Sequence, residues 1–290
     1  MASRSVRSGI GPGAYRPRER EDRVMTREEV VVERRGDVAV IVLNRPEVRN
    51  AVNAAMARAI VDAVVACKDA GAIVLTGADP AFCAGLDLRD LGVDDMGELA
   101  PFVAAVDESE VPVVAAVNGP AVTGGFELAL ACDFIVASER AAFADTHVRV
   151  GVYPGPVAVD LPRRVGIAMA REMSLTGNFV DAATALRIGL ANHVVPHEQV
   201  VDVAVELATA IAEQDREMVR LLRQDWTQTA DAPLADARRI HMEFARHSPT
   251  TSSGAGIAQR RDAVLERSRV QRGTSGPDDD FLLRGREIGR

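Results

Sequence analysis

Apolar and polar positions along this chain fall into short alternating or continuous runs, each punctuated by Gly, Pro, Asn or Asp. From Glu28 the pattern EEVVVERR, a Gly36-Asp37 pair and DVAVIVLNRP predicts a hairpin of two β-branched strands, ended by Pro46. Asn53 then stands where a helix cap is needed, ahead of AAMARAIVDAVVACKD. In that segment Met56, Ile60, Val64 and Cys67 share one face. AIVLTG (72–77) reads as a buried strand, and ADPAFCAGLDLRDL as a loop that Gly and Pro allow to turn tightly. A helical segment is expected over about 97–107, followed by a VVAAV strand. DFIVAS (133–138) and AAFAD (141–145) predict strands, RRVGIAMAREMSL (163–175) a helix, and DAATALRIGL (181–190) a short helix capped by Asp181. NHVVP (192–196) predicts a strand and Glu198 to Glu213 a long helix, and from about residue 200 the pattern is helical only. Strand–turn–helix units repeated in this way imply an α/β fold with parallel strands and right-handed crossovers.

One passage invites chemistry. VVAAVNGPAVTGGFELALA (113–131) runs from a buried strand through a Gly/Pro turn and paired glycines into a helix, with Glu127 one turn inside it. Glycines at a helix start leave backbone N–H groups uncovered, which suits an anion or a carbonyl oxygen that gains charge during reaction. The plain alternative is that Gly124 and Gly125 serve only a tight turn. Glu127 has a similar double reading, since an early glutamate also complements the helix dipole or closes a capping box. Its neighbours Phe126, Leu128 and Ala129 argue for burial, where an idle carboxylate is out of place.

Composition narrows the classes. The chain has 290 residues, 47% of them hydrophobic, enough for a large core. Its three cysteines, Cys67, Cys83 and Cys132, form no CxxC pair, which argues for a reducing, cytoplasmic setting and against zinc or disulfide frameworks. No apolar run reaches the length of a membrane span. The net charge of −8 disfavours nonspecific nucleic-acid binding. Residues 1–24 oppose that trend, with six arginines against Glu19, Glu21 and Asp22. They read as a disordered extension or a targeting arm, without the apolar stretch of a secretory signal, and Met25 is a natural opening for the body. Residues beyond about 270 are Gly/Asp/Arg-rich and expected to be flexible. Neither a GxGxxG after a strand nor a P-loop is present, so neither dinucleotide nor ATP binding is indicated.

Five segments in order, LNRPEVRNAV (43–52), AFCAGLDL (81–88), AAVNGPAVTGGFELALACDFIVAS (115–138), ADTHVRVGVYPG (144–155) and SLTGNFVDAATALRIGLANHVV (174–195), resemble the crotonase, or enoyl-CoA hydratase/isomerase, superfamily. The resemblance implies a spiral of ββα units over residues 25–200 and a helical C-terminal region over 201–270 that supports homotrimers or hexamers. It implies acyl-CoA thioesters as substrates, coenzyme A being part of the substrate, with no separate cofactor or metal. Matched by motif, the N–H groups of Leu86 and Gly124 would hold the thioester oxygen, and Glu127 would activate water. Ala51 and Ala84 would meet the adenine through their backbones, Arg89 would lie near the phosphates, and Arg45 and Arg49 are further cationic candidates.

The chain departs from the family where a second glutamate is expected: that position is His147. An imidazole there could act as acid or base, orient a water or the acyl chain, or be a partly buried histidine bonded to backbone. Asp145, two residues earlier, falls on the same face if the segment is extended, and would orient His147. The tract after Pro154-Gly155 also differs from the usual glycine-rich form, and Tyr153 could reach the pocket or pack at the turn. The leading expectation is hydration of a 2-enoyl-CoA. The alternatives are another acyl-CoA reaction, isomerisation or thioester hydrolysis, or an acyl-CoA-binding protein with little catalysis.

Overall fold

The computed structural model describes residues 23–26, 29–87, 89 and 99–247. The expected flexible tail after 270, the extension before residue 23 and any helix beyond 247 lie outside the described residues. The chain divides into two compact units, one through Gln214 and one from Asp215.

The first unit is built on a sheet of seven strands. Strands β1 (Arg23–Thr26), β2 (Val30–Arg35) and β3 (Val38–Leu43) pair antiparallel. Beyond β3 the sheet continues in parallel through β4 (Ala72–Gly77), β5 (Val113–Val117), β7 (Phe134–Ser138) and β10 (His193–Val195). Every residue of β3, β4 and β5 is buried, which explains their unbroken apolar runs. A smaller sheet joins β6 (Ala121–Val122), β8 (Ala142–Ala144) and β9 (Val180–Asp181). The hairpin expected at Gly36-Asp37 is β2–β3.

Helix α1 (Ala54–Ala66) starts where expected, with the Met56 N–H donating to Asn53 Oδ1 at 2.8 Å. Helix α2 (Phe102–Asp107) is shorter than the expected segment. Residues 97 and 98 lie outside the described set, and Pro101 delays the helix because the residue before a proline disfavours helical backbone. Helix α3 (Gly124–Leu130) follows the glycine pair. The strand expected over 141–145 stops at Ala144, and His147 opens the short helix α4 (His147–Val150). The helix expected over 163–175 is two helices, α5 (Val157–Val165) and α6 (Ile167–Thr176). Gly166 separates them with φ +80°, a conformation that a side chain would resist. Helix α7 (Ala182–Arg187) is capped by Asp181, and a 3-10 turn (His197–Gln199) leads into α8 (Val200–Ala212).

Helix α8 packs on β3, β4, β5 and β7, so it belongs to the core of the first unit. In the second unit α9 (Arg216–Thr229) packs against α10 (Leu234–His247), in line with the helical pattern of the sequence. No helix among the described residues is long and apolar enough to cross a membrane. Loops leaving the C-terminal ends of the parallel strands β4 and β5 run side by side, the usual location for a site in a parallel sheet.

Candidate active site

The loops after β4 (residues 78–86) and β5 (118–123) are laced together. The Phe82 and Cys83 N–H groups donate to the Pro120 carbonyl at 3.1 and 3.2 Å, and the Val122 N–H donates to the Cys83 carbonyl at 3.0 Å. The glycines allow this approach. A β-carbon on Gly119 would sit 2.5 Å from the Pro80 carbonyl oxygen, and one on Gly125 would sit 2.2 Å from that of Cys83. Gly85, at φ +90°, has the Thr123 hydroxyl where a side chain would begin.

At the far end of this pair lie the amides of Leu86 and Gly124. An added β-carbon on Gly124 would be 3.8 Å from Leu86 N, and one on Gly85 would be 3.3 Å from Gly124 N. Thr123, with φ 47° and ψ −117°, makes no side-chain cap on α3. Neither the Leu86 nor the Gly124 N–H finds a hydrogen-bond acceptor among the described residues.

Glu127 lies one turn into α3 and is 8% exposed. Burial pushes its carboxyl above the ordinary 4.5, partly offset by backbone N–H groups of Val157 and Gly155 and by a charged His147. The Val157 N–H donates to Oε1 at 3.3 Å. Gly155 passes so close that a β-carbon there would be 2.9 Å from Oε1. The first turn of α5 thus holds the carboxylate without neutralising it. A partly desolvated carboxylate with free lone pairs is suited to accept a proton.

His147 and Asp145 meet, by a route other than a strand. Asp145 is 1% exposed, and its Oδ1 lies 2.6 Å from His147 Nδ1 and accepts the His147 backbone N–H at 3.3 Å. A turn at the head of α4 makes this contact, because a carboxylate two residues back can bond both groups. The Ser174 hydroxyl also donates to Asp145. The Asp145 hydrogen bond raises His147 above 6.5 against the pull of burial, and the Glu127 charge adds to the rise. With Nδ1 committed, Nε2 is the nitrogen left for chemistry.

The remaining candidates separate. Tyr153 is 90% exposed, so it neither packs at the turn nor closes a pocket in the single chain. Arg89 forks onto Asp87 at 2.9 and 3.0 Å and stays 69% exposed, while its partner is held at about 2 by the guanidinium. Arg45 also reaches Asp87 and donates to the Ala51 carbonyl. The N–H of Ala84 donates to the Arg49 carbonyl at 3.0 Å, so the backbones of Arg49, Ala51 and Ala84 lie along one edge of the loop that ends at Leu86. Burial pushes the Cys83 thiol up to about 12, which removes it as a nucleophile.

Three residues at the site were not foreseen. Asn50, fully buried at φ 56°, donates through Nδ2 to the carbonyls of Ala78, Ala81 and Phe82. Asn118 bridges the two loops at their base, and Gly155 makes room for Glu127. The available signal was Asn118, an asparagine after an unbroken apolar run, which a buried position tolerates only with its amide satisfied, whereas Asn50 stands beside charged residues and gave no such signal.

The chain matches the enoyl-CoA hydratase/isomerase family profile over residues 33–267. It is 36% identical over 252 residues to a "probable enoyl-CoA hydratase" of Rhizobium meliloti, covering 82% of this chain and 98% of the relative. It is 37% identical over 209 residues to the crotonyl-CoA hydratase of Syntrophomonas wolfei, covering 68% of this chain and 80% of the relative. Among solved structures, subunit I of the Geobacillus kaustophilus enoyl-CoA hydratase matches with TM-score 0.74 at 32% identity, over 80% of this chain and 95% of that one. The Mycobacterium avium enoyl-CoA hydratase matches with TM-score 0.65 at 40% identity, over 79% of this chain and 100% of that one. With its crotonase fold and a match over most of its length, the chain belongs to the enoyl-CoA hydratase/isomerase family.

Proposed function

We propose that this protein adds water across the 2,3 double bond of a 2-enoyl-CoA thioester. The observation that supports the reading is the closeness of the Leu86 and Gly124 backbones, in a site whose helix α3 also carries the buried Glu127. In this mechanism Glu127 takes a proton from water as the water oxygen bonds to Cβ. The π electrons move toward the thioester oxygen, and the resulting enolate is held by the Leu86 and Gly124 N–H groups. Each such donor contributes about 2.7–4 kcal/mol to the transition state. The enolate then returns its electron pair to Cα and takes a proton from His147 Nε2. Glu127 leaves the step protonated and His147 neutral, and exchange with solvent resets both.

His147 thus serves where the family pattern expects a second glutamate, as an acid rather than a base. The contact with Asp145 supports this role because it favours the charged ring. Arg89, with Arg49 as a further cation, supplies cationic character for the coenzyme A phosphates, and the Ala84 carbonyl, which has no donor among the described residues, suits the adenine amino group. The acyl-CoA is the substrate and carries its own coenzyme, so no further cofactor enters. A homotrimer or homohexamer is the matching assembly, supported by exposed apolar side chains such as Val148, Leu175 and Phe179. The buried free thiols Cys67, Cys83 and Cys132 favour the reducing cytoplasm.

The experiment is turnover of crotonyl-CoA, followed as loss of the conjugated thioester absorbance, in wild type and Glu127→Gln. Turnover in wild type that falls steeply in the variant supports hydration. Tight coenzyme A binding without turnover would instead mark a binding protein.

A further inference from the structure

The paired loops are closed at their base by a polar knot that the mechanism does not use. Asn118, 4% exposed, follows β5 and reaches toward β4. Its Oδ1 accepts the Gly77 N–H at 3.2 Å, and its Nδ2 donates to Asp79 Oδ1 at 2.9 Å. The second oxygen of Asp79, Oδ2, lies 3.1 Å from Nε2 of His197, which opens the 3-10 turn ahead of α8. Nδ1 of the same ring lies 3.1 Å from the Asn118 carbonyl oxygen and 3.1 Å from Ser138 Oγ at the end of β7. One imidazole therefore touches the first residues of both loops and the end of a third strand.

We propose that His197, acting through Asp79 and Asn118, is a positioning residue that sets the separation of the Leu86 and Gly124 amides. This rests on the reading of those amides as the thioester-oxygen site. The knot and the amides lie at opposite ends of one laced pair. Between them the loops approach more closely than any side chain would permit, at Gly119 against Pro80 and at Gly125 against Cys83. Contacts without slack pass a displacement along instead of absorbing it. Asn50 fixes the first loop from its other side, so a loosened knot shifts the second loop against it through the backbone hydrogen bonds that lace the pair.

A cavity of about 320 Å³ lies beside the knot and is lined by Asp79, Asn118, His197, Thr76, Arg35 and Asp202. The Asp79 side chain is 52% exposed. Hydrogen bonds, and not apolar packing, therefore hold Asp79 in place, whereas the His197 side chain is only 18% exposed, so its truncation is read beside a variant that keeps a ring.

The test reads the amides without requiring turnover. An aryl-enoyl-CoA bearing an electron-donating para substituent absorbs further to the red when its bound thioester carbonyl is polarised. Wild type is expected to give this red shift. His197→Ala and Asp79→Ala are expected to bind the probe saturably yet lose at least half of the shift. For a turned-over enoyl-CoA, kcat should fall about ten-fold or more with KM changed less than about two-fold, the pattern of an interaction made in the transition state. The double variant should be no worse than either single one, since both break the same chain. Asp79→Asn should keep most of the shift, because its carbonyl still accepts from Asn118 and its amide still faces the ring. If the alanine variants do not fold, His197→Phe keeps the ring and removes both nitrogens, and it too should lose the shift. A full wild-type shift in His197→Ala or His197→Phe, or an Asp79→Asn no better than Asp79→Ala, overturns the proposal. A wild-type complex with no red shift at all instead removes the oxyanion reading itself, and this inference with it.

Discussion

Asp145 Oδ1 and His147 Nδ1 lie 2.6 Å apart, and the pair moves both proton equilibria. The hydrogen bond raises His147 above 6.5, while burial pushes Asp145 up but is outweighed by its bonds from His147 and Ser174, leaving it below 3.8. Glu127, raised above 4.5 by burial, must be ionised to accept a proton. Activity should therefore rise with pH through the elevated Glu127 value and fall as pH passes the raised His147 value, above 6.5. Asp145→Asn should move the alkaline limb down toward 6.5 and, because the Asp145 charge also helps raise Glu127, draw the acid limb down with it, in a kcat/KM profile.

The same pair carries a stability signature. A raised His147 contributes stability fully present below 6.5 and lost as pH rises through its folded value. A lowered Asp145 contributes stability present above 3.8 and lost as pH falls through its folded value. The difference in Tm between wild type and Asp145→Asn should accordingly be largest between those ordinary values and shrink on the alkaline side, as thermal melts across pH would record.

Glu127→Gln separates catalysis from folding. The buried carboxylate is a folding liability at neutral pH, since its folded pKa lies above the unfolded one. Its replacement should lower kcat about 10²–10⁴-fold, while Tm holds or rises. A parallel loss of both would point to a structural glutamate.

Gly125 and Gly155 should respond in opposite ways to alanine. At Gly125 the new carbon meets the backbone carbonyl of Cys83 at 2.2 Å, and overpacking of this kind costs about 1–3 kcal/mol. At Gly155 it meets the Glu127 carboxylate at 2.9 Å, a side-chain tip that can turn aside. Gly155→Ala should change stability by less than about 0.5 kcal/mol yet reduce kcat. Thermal melts beside steady-state rates distinguish the two.

Asn50→Ala should leave the carbonyls of Ala78, Ala81 and Phe82 without their donor, and an unsatisfied buried group costs about 1–3 kcal/mol. The left-handed backbone at Asn50 adds to the loss, because alanine tolerates φ 56° less well. Chemical denaturation should show a lowered midpoint, with Asn50→Asp no substitute, since a carboxylate cannot donate.

Much of this was legible in the residues themselves. Continuous apolar runs marked β3, β4 and β5 because parallel strands are buried on both faces, and Asn53 and Asp181 marked helix starts through their capping side chains. Paired glycines before a buried glutamate singled out the start of α3. What escaped was non-local. The two-residue strands β6 and β9 exist only by pairing with β8, so no period in their own sequence announces them. The break at Gly166 hid inside a helical pattern, since a glycine there is compatible with either one helix or two until its φ is known. The His147–Asp145 contact was expected from strand alternation and arises from a turn, and the Asp79–His197 contact spans 118 positions that no local rule connects.

The most direct measurement is a crystal structure with a bound, unreactive acyl-CoA thioester. The account predicts the thioester oxygen about 2.7–3.1 Å from both the Leu86 and Gly124 nitrogens, with Glu127 and His147 Nε2 facing Cβ and Cα. A thioester oxygen out of reach of either amide, or amides occupied by neighbouring peptide carbonyls, would contradict it.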